Sequence, residues 1–472
     1  MKKYRIFNIT LIAAGLFAVQ SCFVAKDYKR PEVIVNEANF RTDVIAKDSA
    51  SVATVSWKQI FTDTQLQALI NQGLQNNLDI RSALQNIAVA EAYAKQGKAG
   101  YLPTLSVGPK YTFTESSVNT QFGAAIANQG GKRAANQYEV SGNLSWEADI
   151  WGKIRSNQRA SSATYLQTIE AHKAVKTQIV ASIANAYYNL LALDEQKRIL
   201  DKTLINREQS LETTKALKEA GSVTEVAVNQ TEAQLFNVKS LLVDVENGIK
   251  LNENVMSVLL GTNPQSINRT NIASQQVNAK LSVGVPAQLL ENRPDIKAAE
   301  FGLMNAFENV NVANASFYPS LSITATGGVQ GIDIDKLFSA QSLFATVIGN
   351  LTQPLLQQRK LRTQKEVALA NQENALINYK SKILNASKEV SDALYTYDAA
   401  VKKAEYKQKE YQLYNQAITY SEELLNYGMA NYLEVITARD NGLNAELNVV
   451  DAKLSSLSSM VELYRAVGGG WQ

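Results

Sequence analysis

The chain has 472 residues, of which 24 are glycine and only 8 are proline. So few helix-breaking residues indicate long, uninterrupted helices. The formal charge is +3, and because Lys2, Lys3 and Arg5 precede the single cysteine without any acid, the remaining chain has no net charge. This balance predicts no basic surface for nucleic acid. A mean hydropathy of −0.18 argues against a bundle of membrane-spanning helices.

The N-terminus has the pattern of a secretion signal. Basic residues are followed by the apolar run from Ile6 to Val19, which is too short to span a membrane. Residues 1–21 are therefore predicted to be a signal peptide. The four residues ending at Cys22 resemble a bacterial lipobox, which implies that Cys22 becomes the acylated first residue of the mature chain. The alternative is an ordinary signal peptide with a chance cysteine.

The next segment begins without a clear period and then becomes helical. Residues 22–56 are interpreted as an extended strap. An amphipathic pattern starts at Trp57, with Asp63 as the candidate N-cap, and continues to about Gly100. Pro103 then breaks the helix. Apolar residues alternate with polar ones after it, which predicts a first β-strand.

A second strand runs directly into a very long helix. Apolar and polar residues alternate from Tyr138 to Glu147, as in a strand with one apolar and one polar face. From Ile154 to about Ala220 there is almost no breaker, which predicts a helix of about 100 Å. Gly221 is placed to end this helix, and a return helix is predicted from Thr224 to Leu260. The two strands are predicted to form a hairpin with a long, polar loop rich in glycine and asparagine.

The same pattern then occurs a second time. Matching residues stand 216 positions apart before the loop of the second hairpin (the first spacing) and 207 positions apart after this loop (the second spacing). The matches are Asp79 with Asp295, Pro103 with Pro319, Leu144 with Leu351, Arg155 with Arg362, Gly221 with Gly428 and Gly261 with Gly468. A shared frame of this length predicts an internal duplication. The predicted repeats are residues 57–261 and 287–472, joined by an irregular connector at 262–286, and the second hairpin loop is nine residues shorter.

Four strands of about 10 residues have the length of tilted membrane strands but cannot close into a barrel, for which about eight is the practical minimum. Open edges are not tolerated in lipid, so copies of the chain are expected to share one barrel. Residues predicted to face lipid are Leu105, Val107, Tyr111, Phe113, Val140, Leu144 and Leu321; Lys110, Thr112, Glu139 and Asn143 are predicted to face the lumen. The helices have narrow apolar seams, which favours a hollow coiled-coil wall. A soluble sheet and a filled coiled coil are the alternatives.

Several motifs carry a resemblance to a known family. They are Leu289 to Ile296 (LLENRPDI), Tyr318-Pro319 before a strand, Trp146 to Gly152 (WEADIWG), Tyr28 to Pro31 (YKRP) and Leu463 to Trp471 (LYRAVGGGW). With them the chain resembles the TolC-like outer membrane efflux channels, and most of all the lipoprotein channels that serve resistance-nodulation-division pumps. The resemblance implies a mixed, mainly α fold. It comprises a long coiled-coil helical barrel continuous with a transmembrane β-barrel, both completed by a homotrimer with four strands per chain and 12 in all.

The resemblance also implies specific sites. The helix turns at Gly221, Ser222, Val223, Gly428, Met429 and Ala430 would be periplasmic tips that contact an adaptor protein. Leu433 would narrow the pore, with Glu434 nearby and with Val226 at the matching repeat position, so that a trimer would carry six apolar side chains at one level. Alternatively, Leu433 packs in the seam of its own coiled coil.

Two departures from the family pattern stand out. Thr437 replaces the family's aspartate ring, so a carboxylate at the pore mouth is not assumed. Gln357 to Lys360 stand where the family has a Gly-Gly pair, so the second strand-to-helix bend, unlike the breaks at Pro103 and Pro319, is not assured.

No catalytic or metal site is predicted. His172 is the only histidine and has no cysteine partner in the mature chain, and no phosphate-binding loop or catalytic triad stands out. The predicted function is a passive outer membrane exit duct for small amphiphilic compounds, without cofactors, working with a periplasmic adaptor and an inner-membrane transporter. The alternatives are a channel for type I protein secretion and a lipid-anchored coiled-coil spacer without a pore.

Overall fold

A computed structural model describes residues 24–31, 55–276 and 293–471 of the chain. The candidate acylation site Cys22 lies outside the described residues, as do most of the predicted strap and part of the predicted connector. Among the helices that are described, none has the length and the apolar character needed to cross a membrane.

The chain divides into two compact units, and each combines segments from both repeats. The sheet unit contains Ala88–Leu166 and Glu300–Ile377 together with residues 24–31. Of the described residues, the helical unit contains 55–87, 167–276, 293–299 and 378–471. Compact units and sequence repeats are therefore different divisions of this chain.

The helices and strands occur in the predicted order in both repeats. The first repeat contains α1 (Trp57–Ile60), α2 (Thr64–Asn76), α3 (Leu78–Ala99), β1 (Thr104–Glu115), α4 (Gln121–Asn128), β2 (Ala134–Ala148), α5 (Lys153–Glu219) and α6 (Glu225–Leu259). The second contains α7 (Pro294–Ala315), β3 (Ser320–Gly331), β4 (Leu343–Thr352), α8 (Lys360–Asn426) and α9 (Tyr432–Ala466). Both bounds of α7 and β3 follow those of α3 and β1 by the first spacing, and both bounds of α8 and α9 follow those of α5 and α6 by the second spacing.

The predicted first helix is interrupted, and side-chain caps explain where. Asp63 is the N-cap of α2, as predicted, and its carboxylate accepts hydrogen bonds from the backbone N–H groups of Gln65 and Leu66. The expected continuous helix to Gly100 is wrong, because Asn77 separates α2 from α3. Its Oδ1 accepts from the backbone N–H groups of the next turn, at Asp79 and Ile80, and so starts a new helix.

The first hairpin loop is also more ordered than predicted. It contains the helix α4, where only a polar loop rich in glycine and asparagine was expected. Thr120 caps this helix by accepting a hydrogen bond from the backbone N–H of Gly123. An alanine at position 123 would place its Cβ only 2.0 Å from the carbonyl oxygen of Ser117, so the close approach requires glycine.

The four strands form one antiparallel sheet in the order β1-β2-β3-β4. Leu105 is opposite Leu144, Leu144 is opposite Ala325, and Ala325 is opposite Val347. Because opposite residues of paired strands project to the same side, these side chains share one face. The seven residues predicted to face lipid all lie on this apolar face, and Lys110, Thr112, Glu139 and Asn143 lie on the other.

The bend between β4 and α8 is retained without glycine. Gln358 and Arg359 have φ angles of 49° and 64°, in the left-handed region. Arg359 follows Gly152 by the second spacing, and Gly152 has a φ of 75° at the corresponding bend between β2 and α5. Each junction therefore has a left-handed residue directly before its long helix, glycine in the first repeat and arginine in the second, whereas the left-handed Gln358 has no counterpart at Trp151.

The long helices of the helical unit pack through narrow seams. The predicted seam residues Ile179, Ile183, Tyr187 and Leu190 are all buried. They belong to one apolar cluster that also contains residues of α2, α6 and α9. Exposed ion pairs such as Lys388 with Asp392, one helical turn apart, cover the outer faces.

Candidate functional site

The two helix turns of the helical unit have the same geometry. After α5, Gly221 has a φ of 75° and the backbone N–H of Ser222 donates to the carbonyl of Leu217 at 2.8 Å. After α8, Gly428 has a φ of 68° and the backbone N–H of Met429 donates to the carbonyl of Leu424 at 2.8 Å. Both are Schellman-type ends, in which a left-handed glycine allows the chain to reverse.

Apolar side chains in these turns and in the first turns of the helices that follow are exposed to solvent. Met429 is exposed, as are Val226 and Leu433 at 62% and 54% of their surface. By contrast Val435, two residues beyond Leu433, is only 2% exposed and packs in the coiled-coil seam. Within a single chain Leu433 is therefore outside the seam, on a surface that another molecule can cover.

The polar residues predicted beside Leu433 have local roles in the helix. The Thr437 hydroxyl donates to the carbonyl of Leu433 at 2.8 Å, a bond within α9. Glu434 is exposed in the first turn of α9, where a carboxylate is favoured by the helix dipole. Asn431 caps this helix by accepting from the backbone N–H of Glu434 at 3.0 Å.

A polar network that sequence reasoning missed lies further along the same helices. The Arg207 side chain on α5 is 4% exposed and donates to Asp440 on α9 at 2.5 Å and to Gln234 on α6. Gln234 also donates to Asp440 at 2.6 Å. Burial lowers the pKa of Arg207 and raises the pKa of Asp440, although their mutual attraction opposes both shifts.

A second link joins the same three helices. The Tyr432 hydroxyl on α9 lies 2.7 Å from the Thr214 hydroxyl on α5 and 3.3 Å from the Thr231 hydroxyl on α6. Arg207 and Thr214 occupy seam positions, since the sequence Leu200, Leu204, Arg207, Leu211, Thr214 alternates spacings of four and three. A charged residue at an otherwise apolar seam position was the signal that could have identified the network.

The predicted helix–strand breaks lie in the sheet unit. Pro103 and Pro319 each stand one residue before a strand, β1 and β3 respectively. The indole N–H of Trp151 donates to the carbonyl of Pro319 at 2.7 Å, and the ring of Trp151 lies 4.9 Å from that of Tyr318. The bend after β2 is thereby fixed to the bend before β3.

The sequence matches the family model described as outer membrane efflux protein over residues 69–262 and 285–469. The chain belongs to this family. The cation efflux system protein CusC of Escherichia coli (strain K12) is 27% identical over 460 residues, covering 96% of this chain and 97% of that protein. The toluene efflux pump outer membrane protein TtgF of Pseudomonas putida is also 27% identical, over 96% and 95% of the two chains.

Another relative and two solved structures extend these similarities. The probable outer membrane lipoprotein SilC of Salmonella typhimurium is 26% identical over 98% of this chain and 99% of that protein. A CusC crystal structure superposes with a TM-score of 0.82 at 27% identity, covering 94% and 99% of the two chains. The open-state MtrE outer membrane channel of Neisseria gonorrhoeae has the same fold, with a TM-score of 0.85 at 23% identity over 96% and 99%.

Family membership and near-complete coverage confirm the predicted mainly α fold with a four-stranded sheet and the predicted role as an exit duct. The protein is an outer membrane channel that serves as the exit duct of an efflux pump. Its relatives are channel proteins rather than enzymes.

Proposed function

We propose that three copies of this chain form the duct, with a 12-stranded barrel in the outer membrane and a 12-helix tunnel in the periplasm. The observation that carries this proposal is a four-stranded sheet with one apolar face and with β1 and β4 at its two ends. Lipid cannot satisfy open strand edges, whereas a closed ring has none. Two copies would already supply eight strands, so the number three comes from the resemblance to TolC-like channels.

The proposed gate is a ring of six apolar side chains, one Val226 and one Leu433 from each copy. Both side chains are exposed in the single chain, and Leu433 follows Val226 by the second spacing of the repeat. A narrow apolar ring blocks ions by dewetting and needs no charge. Thr437 bonds to its own helix, so the apolar ring would carry more of the closure than in relatives with an aspartate at this position.

The proposed pump contains two further proteins. A periplasmic adaptor would contact the turns at Gly221–Val223 and Gly428–Ala430, and an inner-membrane transporter of the resistance-nodulation-division class would supply energy. Acylation of Cys22 would anchor the chain to the outer membrane. We propose small amphiphilic compounds as substrates, which is supported by the relative named for toluene, although the relative CusC is named for cations. The predicted division into repeats 57–261 and 287–472 is retained, supported by their matching helix bounds.

Conductance in a planar bilayer tests the duct and the gate together. The trimer is expected to form pores, and Leu433→Ala is expected to raise single-channel conductance with little loss of thermal stability. Val435→Ala is the matched control, because it removes a buried seam residue and is expected to cost about 1–2 kcal/mol of packing without raising conductance. Absence of any pore would contradict the duct, and a Leu433→Ala trimer that melts early and conducts like the wild type would contradict the gate.

A further inference from the structure

The two hairpins of the sheet have the same internal register. Thr104 is opposite Ser145 in the first hairpin, and Ser320 is opposite Thr352 in the second. Ser320 follows Thr104 by the first spacing of the repeat, and Thr352 follows Ser145 by the second. The duplication therefore extends to individual strand pairings.

Hydrogen bonds at the base of the hairpins are repeated too, even where the residue type changes. Trp146 Nε1 donates to the carbonyl of Tyr101 at 3.0 Å. Gln353 and Phe317 stand at the matching positions, and Gln353 Nε2 donates to the carbonyl of Phe317 at 3.0 Å. A glutamine in the second repeat thus replaces a tryptophan of the first as the donor of the same bond.

Besides the backbone pairing of β2 with β3 and a hydrogen bond from Gln137 to Gln330, two side-chain contacts join the hairpins. In the middle of the strands Asn143 is opposite Thr326, and the Thr326 hydroxyl donates to Asn143 Oδ1 at 2.7 Å. At the base of the strands the indole of Trp151 donates to the carbonyl of Pro319. In a ring of copies, β4 of one subunit and β1 of the next form the matching boundary.

Applying the repeat spacings to Asn143 and Thr326 gives Asn350 on β4 and Lys110 on β1. We propose that β4 pairs antiparallel with β1 of the neighbouring subunit in the register that puts Asn350 opposite Lys110; this inference rests on the trimer proposed above. Asn350 repeats the asparagine of position 143. The Lys110 ammonium can donate to Asn350 Oδ1, as the Thr326 hydroxyl donates to Asn143 Oδ1 within the chain.

The same register keeps the two faces of the sheet continuous across the boundary, with Ile348 as an apolar exception on the polar face. On the apolar face it puts Val347 opposite Phe113, Gly349 opposite Tyr111 and Leu351 opposite Pro109. On the polar face it puts Thr346 opposite Thr114 and Ile348 opposite Thr112. A slip by one residue would turn apolar side chains towards the lumen. A slip by two would keep the faces but would move Lys110 away from Asn350.

The base of the boundary gains a matching contact. By the repeat spacings, Gln358 matches Trp151 and Pro103 matches Pro319. In the proposed register Gln358 therefore donates to the carbonyl of Pro103 in the next subunit, as Trp151 does to Pro319 within the chain. The bond from Gln353 is the precedent within this chain for glutamine in place of tryptophan. Gln358 also has a φ of 49°, which is costly for a residue with a side chain. A hydrogen bond across the boundary offsets part of this cost, which the matching Trp151 does not bear because its φ is not positive.

Cysteine cross-linking of the full-length protein tests the register. Asn350→Cys combined with Lys110→Cys is expected to give a covalent trimer on oxidation. Thr112→Cys and Gly108→Cys test the registers shifted by two residues, which keep the faces of the sheet. Paired with Asn350→Cys, each is expected to give about tenfold less covalent trimer, because the Cβ atoms of diagonal neighbours lie too far apart for a disulfide.

The matched control for this experiment lies within one chain. Asn143→Cys with Thr326→Cys occupies the corresponding pair between β2 and β3, and it is expected to form a disulfide without producing any covalent oligomer.

The outcomes separate this inference from the trimer on which it rests. Light scattering that shows single chains would refute the trimer itself. A trimer that cross-links best through Thr112→Cys or Gly108→Cys, or through none of the pairs, would refute the register. Gln358→Glu removes the donor at neutral pH while keeping the shape, and it is expected to lower the melting temperature of the trimer. An unchanged melting temperature would refute the contact with Pro103.

Discussion

Arg359 and Gly152 offer a direct comparison of a left-handed residue with and without a side chain. Their φ angles are 64° and 75° at matching positions of the two repeats. The left-handed conformation costs a non-glycine residue about 1–2 kcal/mol, while glycine loses about 0.5–1 kcal/mol more backbone entropy on folding. The ion pair of Arg359 with Glu366 joins two exposed side chains and contributes little. Arg359→Gly is therefore expected to stabilise the protein by about 0.5–1 kcal/mol.

The reverse substitution is expected to be harmful. At Gly152 a new Cβ would lie 2.8 Å from Arg155 Nη2 and 3.0 Å from the Cβ of the buried Ala25. Strain and crowding together predict that Gly152→Ala destabilises by about 1–3 kcal/mol. Urea unfolding in detergent, followed by tryptophan fluorescence, measures both variants. If Arg359→Gly is destabilising, or if Gly152→Ala is neutral, backbone strain does not determine the stability of these junctions.

Three further predictions concern the membrane face, the N-terminus and the helical unit. Leu144→Arg puts a charge on the apolar face and is expected to impair trimer assembly at a cost of about 2–4 kcal/mol. Asn143→Arg, on the polar face, is expected to be tolerated. The opposite result in a heat-modifiability gel would mean that the faces are reversed. Mass spectrometry of the mature N-terminus is expected to find acyl chains on Cys22, and cleavage elsewhere would exclude this. Hydrogen bonds from Thr270 and Tyr187 lower the pKa of Asp63 despite its burial, so its contribution to stability is present above its ordinary value of 3.8 and is lost as pH falls through the lowered pKa. Asp63→Asn is expected to make the free energy of unfolding depend less on pH in the acid range. An unchanged pH dependence there would contradict this role of Asp63.

The long elements were predictable because one physical pattern defines each of them. Sixty-seven residues without a breaker fix α5, and the repeat spacing transfers the same bounds to α8. Alternation over ten residues sets the faces of β2, and pairing then fixes those of its neighbours. Patterns of this length average over individual exceptions, so a few atypical residues do not change the result.

The features that were missed depend on single side chains. Asn77 splits a helix through two hydrogen bonds, and α4 is a helix of eight residues held by Thr120, too short for a period to appear. The bend at Gln358 could not be derived from residue type, because its left-handed backbone contradicts local preference. Such positions are decided by tertiary contacts, which a periodic pattern does not contain.

The Arg207–Asp440 pair shows most clearly how a local exception is tied to the surrounding structure. The Arg207 side chain is 4% exposed and that of Asp440 is 43% exposed. Removing Asp440 leaves a buried charge without its counter-ion, whereas removing Arg207 leaves a carboxylate that water can reach, so the two substitutions are not expected to cost the same stability. Asp440→Ala leaves a buried guanidinium with Gln234 as its remaining partner in the network, and we expect a loss of about 1–3 kcal/mol, which solvent access to Asp440 keeps below the value for a fully buried pair.

Removing both charges is expected to cost less stability than removing Asp440 alone. In Arg207→Met with Asp440→Ala an apolar side chain fills the seam and no buried charge remains, so the urea midpoint is expected to lie close to that of the wild type. The comparison needs Arg207→Met alone to complete a double-mutant cycle. If the two single losses simply add in the double variant, the pair is not coupled, and the seam tolerates Arg207 because its aliphatic part packs there rather than because Asp440 neutralises it.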